Sequence, residues 1–188
     1  ASFSSSIFKK STKFSHRVQF NDEANFNHAE FIGAANFGSC AFKTKADFAI
    51  SKFRSIVDFS LAKFHFASFY EAEFYGEAIF EATEFTDEAL FYHAKFLGEK
   101  IVENTDINGQ DAKYYAVSFQ RAQFKKTVSF ISATINAVTF NSAKFESMAE
   151  FKLVTFKKPT IFQNIDFENL VIFTKATFEK HVQFIDCS

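Results

Sequence analysis

Tryptophan is absent from this sequence, and proline and methionine occur once each among its 188 residues. No run of 18 apolar residues occurs, which excludes a membrane-spanning helix of ordinary length. Residues 1–13 are serine-rich and lack the apolar run of a signal-peptide core. The two cysteines, Cys40 and Cys187, are far apart and show no metal-type spacing. No Asn-x-Ser/Thr acceptor occurs, which speaks against a secreted eukaryotic glycoprotein. No glycine-rich phosphate loop is present. The formal net charge of −1 gives no global field to attract or repel nucleic acid.

What the chain has instead is phenylalanine, 31 of them, within an apolar fraction of 47% that is ordinary for a folded protein. A usual core mixes residue types to fill an irregular space, so a core of one type implies a regular space used repeatedly. The Phe residues fall at steps of five or six from Phe3 to Phe96, and again from Phe119 to Phe184, with Ile135 filling one gap in the second run. Phe66 is the one Phe off this rhythm. Two residues before the repeated Phe sits a small or β-branched residue, as in Ala24, Ala29, Ala35, Cys40, Val57 and Ala62. The unit is small–x–Phe–x–x, with an extra residue in many copies.

An amphipathic helix needs apolar steps of three and four, and a flat strand puts residues an odd number apart on opposite faces. Neither fits. A chain that turns a corner after each short extended piece does fit. The small residue and the Phe, two apart, point to the same side of that piece, and the corner brings the next pair inward.

The tandem small–x–Phe–x–x motif resembles the pentapeptide-repeat proteins, in the form with Phe at the centre, over nearly the whole chain. The resemblance implies a right-handed quadrilateral β-helix with four repeats per coil. Admitting Ile101, Ile107 and Tyr114 as further centres gives about eight coils at roughly 4.8 Å spacing. One expected ladder runs Phe26, Phe48, Phe69, Phe91, Tyr114, Ile135, Phe156, Phe178. Its neighbour runs Phe31, Phe53, Phe74, Phe96, Phe119, Phe140, Phe162, Phe184. Residues 1–188 are read as a single solenoid, interrupted or bulged at about 97–111. There Glu99 takes an inward slot, where a charge should not be buried. The pattern starts and stops mid-repeat, so a fragment of a longer chain is expected.

Charge is segregated along the sequence, with residues 1–63 at net +4, 64–111 at −9 and 112–188 at +4. The acidic set is Glu71, Glu73, Glu77, Glu81, Glu84, Asp87, Glu88, Glu99, Glu103, Asp106 and Asp111. It should form a girdle around about two coils, with Glu77/Glu99, Glu81/Glu103 and Glu84/Asp106 as vertical neighbours. Such a girdle is the candidate partner-binding site, for a basic partner or for loose cation binding.

No catalytic, cofactor or metal residue is assigned. His16, His28, His65, His93 and His181 are scattered, and exposed carboxylates make poor general acids without burial. Cys40 and Cys187 fill inward small slots. The chain therefore reads as a non-enzymatic scaffold presenting a rigid rod to a protein partner, with end-to-end or homodimer association through open strand edges as a further expectation. A cytoplasmic, bacterial setting is expected, with no direct nucleic-acid binding. The resemblance also implies an alternative, a duplex-DNA mimic that binds a type II topoisomerase such as gyrase. A second alternative is a spacer or receptor-like segment of a larger membrane-associated protein.

Overall fold

The computed structural model describes residues 1–14, 17–98 and 116–188. Within them the chain winds as a four-sided β-solenoid without helix, made of short strands that pair only in parallel. Most strands are two residues long and end on, or begin just before, a rung. Glu30–Phe31, for example, pairs with Ile7–Phe8 on one side and Lys52–Phe53 on the other. We number the sides in the order the chain meets them after Phe14. Side one carries Phe20, Phe42, Phe64, Phe85, Phe124, Phe145 and Phe167. Side two runs from Phe3 through Phe26 and Phe48 to Phe173, side three from Phe8 to Phe178, and side four from Phe14 to Phe184. Sides three and four are separate eight-stranded sheets. Sides one and two merge into one sheet because the strands Ala41–Asp47 and Lys63–Ser68 run unbroken around their shared corner.

The interior follows from stacking like on like. Phe26 and Phe48 lie 4.8 Å apart and 1° from parallel, and Phe8 and Phe31 lie 4.5 Å apart at 2°. Across the channel, sides two and four meet edge to face, as Phe37 does with Phe26 and Phe48 at 5.3 Å and 82°. Both arrangements satisfy the ring quadrupole, so a mid-rod phenylalanine such as Phe48 is held by stacking along the rod and by edge contacts across it. This leaves room only for small side chains between ladders, and Ala29, Ala62, Ala72 and Ala94 are fully buried there. Where an inward small residue is polar, a backbone carbonyl satisfies it. Thr83 Oγ1 donates to the Phe59 carbonyl at 2.8 Å, and Ser51 Oγ to that of Phe48 at 2.7 Å. Cys40 donates its thiol to the Phe14 carbonyl, and burial pushes that thiol up to about 11.

The alternation of five and six residues has a structural cause. Corners leaving sides two and four are tight. The third residue after the Phe donates its N–H to the Phe carbonyl, as Ala29 does to Phe26 and Ala62 to Phe59, both at 3.0 Å. The second residue after the Phe then takes a left-handed conformation, for example His28 (φ 58°), Ile50 (59°) and Leu61 (59°). The residue before the Phe often caps the turn. Asn25, Asn36 and Asp47 each accept the N–H two residues on at 3.0 Å, and Asp58 does so at 2.8 Å. Corners leaving sides one and three lack this bond and usually spend a sixth residue. On the side-three corner successive coils touch through their backbones. A Cβ on Gly76 would lie 2.5 Å from the Ser55 carbonyl carbon, so only glycine fits.

One coil breaks the count. Phe96 pairs directly with Ile135, so this coil takes 39 residues where others take 21 to 23. Gly98 stacks over Gly76, and the Ala116 carbonyl accepts the Ala78 N–H at 3.0 Å. The positions beneath Gly98 and Ala116 are therefore consecutive, and the ladders close without the intervening stretch. This corrects the expected ladders above Phe96. Phe91 stacks on Phe130 at 4.8 Å, not on a rung at Tyr114, and Phe119 stacks on Phe80 at 4.9 Å rather than continuing from Phe96. Ile101, Ile107 and Tyr114, counted as centres, lie outside the described residues. The side-two column from Phe3 to Phe173 accordingly holds seven stacked pairs and seven turns. The physical reason is that a Phe ladder rewards like-on-like stacking, which Phe91 on Phe130 and Phe85 on Phe124 preserve.

Candidate functional site

With the channel filled by phenylalanine, the chemistry of the rod lies in its outward side chains. Residues flanking each rung project outward and repeat at every coil, so each side carries vertical columns at strand spacing. The acidic girdle divides among these columns. Glu73 stands on side three, Glu84 on side one and Glu81 on side four. Glu71 occupies the left-handed position of the corner after side two, and Glu77 the corner after side three. Asp87 and Glu88 lie on the corner between sides one and two. Glu99, Glu103, Asp106 and Asp111 lie outside the described residues.

Two of the acids are built into lysine ladders. Glu84 lies in register between Lys63 and Gln123 and takes Lys63 at 2.9 Å and Lys125 at 2.5 Å. The two ammonium groups, Lys125 foremost, hold its carboxyl below the usual range. Glu73 sits between Lys52 and Lys95, and the Lys95 ammonium, at 2.9 Å, likewise holds its carboxyl down. Glu81 accepts the Ser118 hydroxyl at 3.0 Å, and Asp87 faces His65 at 3.8 Å. The expected like-charge stack of Glu84 on Asp106 is thus corrected: Gln123 is the upper in-register neighbour of Glu84. Glu81 meets Ser118 in the next coil, and Glu77 is in register with Ala116. The long coil shifts the upper neighbours of Glu77, Glu81 and Glu84, while Glu73 keeps Lys95 above it.

Side three carries a chain of polar contacts that the charge count did not single out. The Arg54 guanidinium donates to Glu30 at 2.7 Å and lies over the Tyr75 ring, 4.5 Å from its centre. The Tyr75 hydroxyl donates to Glu73 at 2.8 Å, and Lys95 closes the series on the same carboxylate. The signal was present in the sequence, since Glu30, Lys52, Glu73 and Lys95 alternate in sign at the coil period. Among the described residues no three of His, Cys, Asp and Glu converge into a metal-sized group, and no helix is long and apolar enough to cross a membrane.

No family model matches the chain, and no curated protein matches it. Several solved structures are similar, QnrB1 and HetL among them. QnrB1, a plasmid-mediated fluoroquinolone resistance protein, is 13% identical over 89% of this chain and 91% of that one, with a TM-score of 0.27. HetL, a pentapeptide repeat protein involved in heterocyst differentiation regulation from the cyanobacterium Nostoc sp. strain PCC 7120, is 11% identical over 93% and 87%, with a TM-score of 0.25. At these scores neither superposition bears on function. The four-sided solenoid is carried by the chain itself, in its small–x–Phe–x–x rungs, its four parallel columns and its stacked rings.

Proposed function

We propose that this chain is a non-enzymatic interaction scaffold, a rigid rod that presents outward columns of side chains to a protein partner. The observation that carries this reading is the filled channel. From Phe26 to Phe162 the rungs are almost completely buried, so chemistry is left to the surface, at spacings fixed by the coil. A duplex-DNA-like role draws less support, because Glu73 and Glu84 are bridged by Lys95, Lys63 and Lys125 rather than presented as an open acidic stripe. To test the scaffold reading, a photo-cross-linking amino acid is placed at one outward position on each side, and adducts formed in the source cells are mapped. A partner that couples from one or two sides supports it. Uniform background from every side refutes it.

A further inference from the structure

Four aromatic side chains among the described residues stand outside the Phe ladders: Phe66, Tyr70, Tyr75 and Tyr92. Tyr75 is engaged, lying under Arg54 and bonded to Glu73. The other three share side two and its edge, in two adjacent coils. Phe66, the one Phe off the rhythm, lies in register with Lys45 below, and Ala67 beside it bonds the Glu88 carbonyl of the coil above at 3.1 Å. Tyr70 and Tyr92 occupy the same column, the Glu71 N–H reaching the Tyr92 carbonyl at 2.8 Å. Tyr70 is 39% exposed, with the His93 ring edge-on at 6.0 Å.

Side three shows what such a group does when complete. There a tyrosine hydroxyl bonds a glutamate and an arginine lies over the ring. Side two also sets a tyrosine beside a glutamate. Tyr70 is followed directly by Glu71, whose carboxylate holds the phenol above its usual range. The arginine is missing. The segments 66–71, 88–93 and 127–132, stacked in three successive coils of this side, contain no Lys or Arg, while Glu71 and Glu88 border them on opposite edges. An exposed tyrosine, Tyr70, beside the half-buried Tyr92 and bordered by carboxylates complements a guanidinium, which needs a π face and a counter-charge together.

We propose that side two, at Tyr70, Tyr92, Glu71 and Glu88, docks an extended arginine-bearing segment of a protein partner, supplying from outside the cation that Arg54 supplies on side three. This rests on the scaffold reading and names its surface. The test is fluorescence anisotropy of labelled ten-residue peptides, alternating Arg-Ser and, as control, Glu-Ser, titrated with the chain at low salt. The Arg-Ser peptide should bind saturably and the Glu-Ser peptide should not. Tyr70→Ser/Tyr92→Ser should weaken binding about tenfold, as expected for two exposed cation–π contacts. Glu146→Gln/Glu179→Gln, which removes two carboxylates from sides one and three, should leave it within twofold. Should the double tyrosine variant unfold, Tyr70→Lys alone gives the same reading. No saturable binding, or equal weakening by both charge and tyrosine variants, overturns the assignment. If that happens while a partner still cross-links to another side, the scaffold stands and only this surface falls.

Discussion

Joining Gly98 directly to Ala116, by deleting residues 99–115, should leave a folded solenoid with every described rung in place. Gly98 lies over Gly76, and Ala116 bonds Ala78 across one coil spacing, so the two ends stand over consecutive positions of the coil below. A single trans peptide spans about 3.8 Å between Cα atoms, which is the span required. No stacked pair is lost, because Phe80 already meets Phe119 and Phe91 already meets Phe130. Closing a connection of this length costs at most roughly 2.5 kcal/mol by polymer scaling, so the change should lie between neutral and that much stabilisation. Urea unfolding followed by far-UV circular dichroism measures it, with an unchanged slope showing the same buried surface. If residues 99–115 instead supplied a rung at Tyr114, the deletion would throw the flanking rings out of register, losing about 0.5–1.5 kcal/mol per aromatic contact. A deletion variant that fails to fold, or is several kcal/mol less stable, would refute the register.

Phe69→Leu should destabilise by about 2–4 kcal/mol, since Phe69 is fully buried and stacks at 5.1 and 5.0 Å on Phe48 and Phe91. Phe184→Leu, at 53% exposure, should cost less than about 1 kcal/mol, and equal losses in denaturant titration would contradict a stacked core. Ala72→Leu should overpack the channel at a cost of about 1–3 kcal/mol, read as a lowered thermal midpoint. The carboxyl of Glu84 is held below its unfolded value of about 4.5, so its ion pairs stabilise the fold above that pH and are lost as pH falls through the depressed value. Glu84→Gln should therefore flatten the acid limb of a stability–pH curve below about pH 4.5 and leave the alkaline side unchanged. Cys40, fully buried with its thiol raised to about 11, should resist a thiol reagent at pH 8 until denaturant is added, while the partly exposed Cys187 reacts first.

Much of this was legible in the sequence. The Phe rhythm, with a small residue two before, specifies inward pairs and regular corners, and the lower ladder Phe26, Phe48, Phe69, Phe91 is found as expected. The tight corners are written locally too, in the Asn or Asp before Phe26, Phe37, Phe48 and Phe59. These are properties of a few neighbouring residues, and a strict repeat multiplies a weak local signal until it is unambiguous.

The register above Phe96 was not legible, because any stretch with apolar residues at five- or six-residue steps could form a coil on paper. Ile101, Ile107 and Tyr114 satisfy that arithmetic. Which rungs stack is decided by the tertiary choice to put Phe130 on Phe91, and that choice moved the upper neighbours of Glu77, Glu81 and Glu84. Glu84 shows the consequence: Lys125 is 41 positions on in sequence yet one coil away in space. The sequence by itself determined the unit and the direction each side chain faces, since both follow from strand alternation and corner chemistry. Only the tertiary structure decided which charges meet and which tyrosines lie open, because coil-to-coil neighbours depend on the summed length of everything wound between them.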